Sequence, residues 1–383
     1  LREPYIFQLK SKIVFGPDSH RKIGEEIKGL KSRKVLIVTD EGVKRAGILG
    51  SVVDLLESER IEYGAFSEVE ENPLVSTVEK GVKLVHENGY DLIIGLGGGS
   101  SMDVAKAVGL MARNPGKISE YWGKRPPNDS IPVIAIPTTA GTGSEVTAVA
   151  SIKDDEKKVK MGIGAPQMTP AVSVVDPILT LSMPPGITAS TGMDALTHAI
   201  EAYTNKIVDP ISETLSFKAI KLISMSLRTA VAQGDNLEAR TNMLYGSMIA
   251  GMAFANVKLG AVHAITVPMG GYFPVPHGVI NSILLPHVME FNFIGNLKKF
   301  EDVAEAMGEN LTGLNPRQRA YRAIEAVKQL SADIGIPKGL ASLGIEEDAI
   351  PKICEDAMKN VNIPINPRKP TVEDLVNICK KAM

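Results

Sequence analysis

Asp91-Leu-Ile-Ile-Gly-Leu-Gly-Gly-Gly-Ser-Ser-Met-Asp-Val-Ala-Lys106 carries three signals in a row that together set the fold class. Asp91-Leu-Ile-Ile-Gly95 is a short apolar run with the look of a fully buried strand. Gly97, Gly98 and Gly99 follow at once; without side chains they let the backbone turn tightly and approach a ligand closely. From Ser100 or Ser101 to Met111, apolar residues recur at three- and four-residue spacing, so a helix is expected to open directly on the glycines. The first turn of such a helix has unpaired N–H groups and a partial positive charge, which together make an anion site. The spacing is neither G-x-G-x-x-G nor a Walker loop, and the same residues also suit a tight strand–helix turn capped by serine.

Outward from this unit the alternation repeats. Val35–Thr39, Ile131–Ile136 and Val172–Val175 read as buried strands, and Ser76–Asn88 as an amphipathic helix, so the first half is expected to form a mostly parallel sheet covered by helices. Lys153–Lys158 is a charge run, expected to be a solvated turn between two strands. After Met183-Pro-Pro185 the strand signals stop. Helical periodicity then covers Asp194–Tyr203, Ile211–Ala232, Leu237–Phe254, Glu301–Met307, Gln318–Ile334 and Val372–Lys381. Pro184, Pro185 and Gly186 mark the expected boundary, giving an α/β domain over residues 1–183 and an all-helical domain over 184–383.

Composition narrows the function classes. The 383 residues hold 44% hydrophobic and 22% charged side chains, enough apolar material for large cores. Lys plus Arg total 42 against 44 Asp plus Glu, a balance that argues against a broad nucleic-acid-binding surface. Two cysteines, Cys354 and Cys379, cannot build a disulfide framework and fit a cytoplasmic protein. No apolar run reaches the roughly 18 residues of a membrane span, and no secretory signal pattern is seen near Arg2, Glu3 and Lys10.

Two further groups of residues carry chemistry. Pro137-Thr-Thr-Ala-Gly-Thr-Gly-Ser-Glu145 follows a buried strand and offers hydroxyls on Thr138, Thr139 and Thr142. In a parallel sheet it emerges on the same edge as the glycine loop, where ligands bind. Asp40 ends another strand on that edge; its carboxylate can accept hydrogen bonds from a ribose diol and repel a 2′-phosphate, which favours NAD over NADP. Taken alone, Asp40 reads as a helix cap. In the second half, Asp194 and His198 stand four apart on one helical face. His263 in Gly260-Ala-Val-His263 and His277 in Pro276-His277-Gly278 complete a set of one oxygen and three imidazoles suited to zinc or iron(II). Spacing alone leaves open whether His263 and His277 share that site. His20, His86 and His287 have no ligand-type neighbour in sequence and are read as structural.

The strings GGGSSMDVAK (97–106), PTTAGTGSE (137–145), GMDALTHAIEAY (192–203), GAVHAI (260–265) and PHGVINSILLPHVMEFN (276–292) resemble the iron-containing (group III) alcohol dehydrogenases, in their lactaldehyde/1,2-propanediol oxidoreductase-type branch. The likeness runs through the whole chain in order. It implies a dehydroquinate synthase-like fold with an N-terminal dinucleotide-binding α/β domain, an all-α C-terminal domain and a cleft between them. It places metal ligands on Asp194, His198, His263 and His277. It places cofactor contacts on Asp40, Asn72, Gly97, Gly98, Gly99, Ser100, Ser101, Thr138, Thr139, Thr142 and Lys160. The implied activity is metal-assisted hydride transfer between NAD and a small alcohol, diol or aldehyde, in a homo-oligomer, with Fe2+ the favoured metal and Zn2+ the other choice. Phe254 and Trp122 are candidates to line the cleft.

Many family members carry a second histidine one helical turn beyond the third ligand; this chain has Val267 there, so the alkoxide proton is expected to leave by water or the cofactor ribose. Three rivals remain. One is a metal-dependent lyase of the dehydroquinate synthase type, which would need a dense Lys/Arg set, whereas the segments around Asp194, His263 and His277 are nearly free of both. The others are a metal-free reductase of the maleylacetate reductase type and a non-enzymatic nucleotide-binding protein.

Overall fold

A computed structural model describes residues 4–155, 159–207 and 209–383. The chain divides into two compact units. The α/β unit spans Leu9–Thr139 and Gly143–Met183; the helical unit spans Pro184–Met383 with the stretch Ala140–Thr142 and residues 4–8.

In the α/β unit the strands are β1 (Lys12–Phe15), β2 (Lys34–Val38), β3 (Glu62–Phe66), β4 (Leu92–Gly97), β5 (Val133–Pro137), β6 (Val149–Asp154), β7 (Val159–Gly164) and β8 (Val172–Val175). The helices are α1 (Ile23–Gly29), α2 (Glu41–Arg45), α3 (Ile48–Ser58), α4 (Val75–Asn88) and α5 (Gly99–Met111). Six strands form one sheet in the order β1-β8-β5-β4-β2-β3, with every pairing parallel. β6 and β7 pair antiparallel as a separate hairpin. Residues 156–158 of the expected solvated turn between these two strands lie outside the described residues.

The strands are apolar almost throughout because both faces of the sheet are covered. Val35, Ile37, Leu92, Ile94 and Leu96 face a core shared with Ile23, Ile27, Val52 and Leu56. Their neighbours Leu36, Val38 and Ile93 face the opposite core, with Val78, Val85, Val104 and Val108. The side-chain period of two splits each strand between the two layers. β3 was not foreseen: its sequence, Glu-Tyr-Gly-Ala-Phe, has Gly64 in the middle and only Phe66 buried, as suits a sheet edge.

Strand order also locates the crevice. From β2 the chain runs outward to β3, then crosses back to place β4 on the other side of β2. Such a reversal opens the strand ends to a ligand, and here the two ends are those of Thr39–Asp40 and Gly97–Gly99.

The helical unit contains α6 (Pro185–Thr204), α7 (Pro210–Ala232), α8 (Leu237–Val257), α9 (Ala261–Tyr272), α10 (His277–Asn292), α11 (Leu297–Ala306), α12 (Pro316–Asp333), α13 (Ile350–Ala357) and α14 (Val372–Lys381). α9, α10 and α13 were not anticipated. The first two carry interior prolines, Pro268 and Pro286, and are apolar around most of their circumference, so they lack the one-sided periodicity of a surface helix. α6 is central: it packs on α7, α8 and α10, and nearly every residue from Gly192 to Ala202 is buried. No single described helix is long and apolar enough to cross a membrane.

The close seat of α5 on β4 depends on Gly95. A methyl group there would lie 2.9 Å from Ala105 Cβ and 3.0 Å from the Met102 backbone. Gly95→Ala is therefore expected to cost about 1–3 kcal/mol by overpacking, read as a lower urea midpoint for the α/β transition; an unchanged midpoint would refute the tight seat.

Candidate functional site

The helical unit gathers the four metal-type side chains. Asp194 and His198 lie four apart on α6, His263 sits near the start of α9, and His277 opens α10. Ligand atoms of Asp194, His263 and His277 fall within 4.8 Å of one another. His198 stands at the margin of this trio, with its Nε2 3.8 Å from Asp194 Oδ1 and its ring stacked on that of His263 at 4.6 Å between centroids. Asp194, His198 and His263 are buried, while His277 is partly exposed.

Hydrogen bonds turn the imidazoles inward. His263 Nδ1 donates to Glu201 Oε2 at 2.6 Å, and its Nε2 lies 3.6 Å from Asp194 Oδ1. His198 Nδ1 donates to the Gly141 carbonyl at 3.2 Å. In both rings Nδ1 is engaged, which leaves Nε2 facing Asp194, the orientation a metal ligand needs. Asn281 Nδ2 donates to Asp194 Oδ1 at 2.7 Å, and Asn281 Oδ1 is buried without a hydrogen-bond partner.

The charge balance calls for a cation. Burial pushes the Asp194 carboxyl up, but His198, His263 and His277 outweigh it and hold the group below its ordinary range. Burial opposes charge on His263, yet its bonds to Asp194 and Glu201 prevail and raise it to about 9. His198 is pushed down to about 4, by burial first and by repulsion from His263, against the attraction of Asp194. Two buried carboxylates thus compete for one positive charge. A divalent ion at the convergence of the Nε2 atoms would satisfy both, and the donor set of one oxygen and three nitrogens fits zinc or iron(II).

Glu201 and Asn281 went unassigned in the sequence reading. Both had a signal: Glu201 is seven residues after Asp194 and three after His198, on the same helical face, and Asn281 is one turn beyond His277. Phe254 on α8 lies against the His198 ring, with centroids 4.5 Å apart. Trp122, in the α/β unit, is half exposed after the turn Ile118–Tyr121. His20 is paired with Asp176, and His86 with the Ala112 carbonyl.

In the α/β unit Asp40, the glycine loop and the start of the second loop lie together. Asp40 Oδ1 accepts from Val43 N at 3.0 Å and so caps α2; its Oδ2 accepts from Ser101 Oγ, also at 3.0 Å. Asp40 is thus a helix cap that also stands just past the C-terminal end of β2. Gly97 has φ +148°, where a side chain is strained and would meet Ser101 Oγ at 2.6 Å. α5 begins at Gly99, so the amides of Gly99, Ser100 and Ser101 belong to its open first turn. Thr138 N donates to the Gly97 carbonyl, and the Thr139 side chain is 3.5 Å from where a Gly98 Cβ would lie, so the two loops start side by side. Lys160 Nζ donates to Asn72 Oδ1 at 2.7 Å. Thr142 belongs to the stretch Ala140–Thr142, which packs within the helical unit.

The second loop is held by α5. Fully buried Lys106 donates to the carbonyls of Ser144, Thr147 and Val149, and Asp103 accepts from Ser144 Oγ and Ser151 N. Glu145, beside them, is completely buried with Oε1 unpartnered.

Comparison with known proteins gives one answer for both halves. Residues 10–177 match the family described as iron-containing alcohol dehydrogenase, and residues 188–383 match the C-terminal part of the Fe-containing alcohol dehydrogenase family. The chain is 43% identical over 371 residues to a 1,3-propanediol dehydrogenase of Klebsiella pneumoniae, covering 96% of each chain. It is 40% identical over 371 residues to an NAD-dependent methanol dehydrogenase of Bacillus methanolicus, covering 97% of each. A crystal structure of 1,3-propanediol oxidoreductase matches with TM-score 0.97 at 41% identity over 100% of both chains.

Glu145 yields a pH test. Burial raises its carboxyl from an ordinary 4.5 to about 7, against the pull of Lys106, so the folded chain keeps a proton that the unfolded chain releases. Stability from this group is full below about 4.5 and is lost as the pH rises toward 7. Glu145→Gln, which stays neutral, is expected to be more stable than the parent by about 3 kcal/mol at pH 8 and to converge with it near pH 4.5. Urea midpoints at the two pH values check this; parallel curves would show that the carboxyl is ionised in the folded chain.

Proposed function

Given that the chain belongs to the iron-containing alcohol dehydrogenase family, we propose that Asp194, His198, His263 and His277 hold its catalytic metal and that the Asp40/Gly97–Ser101 crevice, with Asn72, Thr138, Thr139, Thr142 and Lys160, binds NAD. The enzyme is an NAD-dependent, metal-dependent alcohol oxidoreductase. The observation that carries the residue assignment is the inward-facing Nε2 pair of His198 and His263 around Asp194, each ring fixed by a bond from its Nδ1. In functional terms we assign residues 1–183 to the nucleotide and 184–383 to the metal.

When bound, the metal would supply Lewis-acid polarisation of an alcohol or carbonyl oxygen, and NAD would supply the hydride acceptor. The chain's own contribution is placement and dryness. Glu201 keeps the His263 ring turned with Nε2 toward Asp194, and Asn281 holds the Asp194 carboxylate in place. The amides of Gly99, Ser100 and Ser101 face the crevice end of α5, positioned for a pyrophosphate. Phe254 covers the His198 ring with apolar surface. Val267, one turn beyond His263 on α9, offers no proton-carrying group, so proton release is assigned to water or a ribose hydroxyl.

The substrate class proposed is a small, uncharged primary alcohol or diol, or the matching aldehyde. Support comes from the scarcity of Lys and Arg in the segments around the metal-type residues and from the alcohols named for the relatives. The same scarcity of cations counts against an acidic sugar-phosphate substrate and the lyase chemistry that would use one. Iron(II) is the proposed metal, with zinc(II) compatible with the donor set. We also propose a cytoplasmic homo-oligomer. The free thiols of Cys354 and Cys379 support the compartment, and the place of β1 at the end of the strand order supports assembly.

Metal analysis of the purified chain, followed by NAD reduction across a panel of short alcohols, tests metal, cofactor and substrate class together. His263→Ala is expected to lose bound metal and nearly all turnover; full activity in a metal-free sample would sink the ligand assignment. Asp40→Gly, which keeps a tolerated cap residue, is expected to lower the NAD over NADP preference in kcat/KM by about tenfold or more by removing repulsion of the 2′-phosphate. An unchanged preference would mean that Asp40 does not reach the ribose.

A further inference from the structure

His263 is delivered by the turn between α8 and α9, and that turn is strained. Lys258, the residue closing α8, has φ 63° and ψ −163°, a backbone region that essentially only glycine enters without cost. Its side chain is exposed, so the conformation must be imposed from the backbone.

Side-chain amides impose it. Asn205, at the end of α6, donates to the carbonyls of Val257 and Lys258 at 2.8 and 3.2 Å. Asn362 Oδ1 accepts from Leu259 N at 3.3 Å, and Asn366 Oδ1 accepts from Ala261 N at 3.0 Å. The next amide, Val262 N, goes to Glu201, the residue that also orients His263. Side chains thus take up successive N–H groups at the start of α9, which would otherwise be open. Asn366 is completely buried and fully engaged: it also exchanges a reciprocal amide pair with Asn292, the last residue of α10, at 2.7 and 3.1 Å, and donates to the Arg368 carbonyl. The helices that bear Asp194, His198, His263 and His277 are joined by this network at one end.

Resting on the metal-site reading above, we propose that Asn366 is a positioning residue for the metal centre: it holds the first turn of α9, directly after the strained Lys258 turn, so that His263 faces Asp194. A purely structural asparagine would affect stability without changing ligand geometry. A positioning residue affects both, and relief of the turn strain should compensate for its loss.

The test is a Co(II) titration of the full-length, metal-stripped chain, read by ligand-field absorption. Asn366→Ala is expected to weaken Co(II) binding by about tenfold or more, the usual scale for groups behind a ligand, and to alter the spectrum. Adding Lys258→Gly should recover most of that affinity, because glycine takes the turn conformation unaided. A folded Asn366→Ala chain with parental affinity and spectrum, or a loss that Lys258→Gly leaves untouched, overturns the proposal. Should Asn366→Ala fail to fold, Asn292→Ala, which removes only the amide partner, decides: a weaker, spectrally altered Co(II) site supports the proposal and a parental one overturns it. A parent chain that takes up no Co(II), or takes it up equally as His263→Ala, overturns the metal-site reading and this inference together; parental uptake insensitive to Asn366 overturns this inference alone.

Discussion

Two carboxylates, Asp194 and Glu201, are buried on one face of α6, and much of the helical half is arranged to satisfy them. A buried charge without partners is too costly to keep. Here the partners are imidazoles and amides brought from α9 and α10: His263 bridges the two carboxylates, Asn281 donates to Asp194, and the Val262 amide donates to Glu201. The same demand that stabilises these helices against one another leaves a convergence of Nε2 atoms and one carboxylate oxygen. Folding and the geometry of the proposed metal site are a single electrostatic solution.

The α/β half rests on a different constraint, close backbone approach. Gly95 lets α5 lie directly on β4, and Gly97 makes the turn that aims the first amides of α5 at the crevice. Asp103 and Lys106 on the same helix then fasten the second loop through backbone groups. One helix thereby sets the positions of both loops, and a nucleotide can be met mainly by backbone and hydroxyl groups. This agrees with a chain whose formal net charge is only -2.

Legibility differed between the halves for physical reasons. Strands buried on both faces and joined through glycine to amphipathic helices leave a strong local pattern, so β4, α5 and β8 could be read within two residues of their observed limits. α9 and α10 were missed because helices buried on most sides have no polar stripe, and each contains a proline. Asp40 shows a subtler case: as a strand-end carboxylate it reads as a helix cap or a ribose acceptor, and its two oxygens divide between a cap and the glycine loop.

Sequence by itself determined the fold class, the two glycine-bearing loops, the Asp194–His198 pair and, through resemblance, the family. These depend on periodicity and spacing within one element, which the linear chain records. Only the tertiary structure decided that His263 and His277 meet Asp194, that Glu201 and Asn281 stand behind them, and that Asn366, more than a hundred residues from His263, bonds the first turn of the helix that carries it. Such contacts join residues from different helices, and no local periodicity encodes which buried polar groups will satisfy one another.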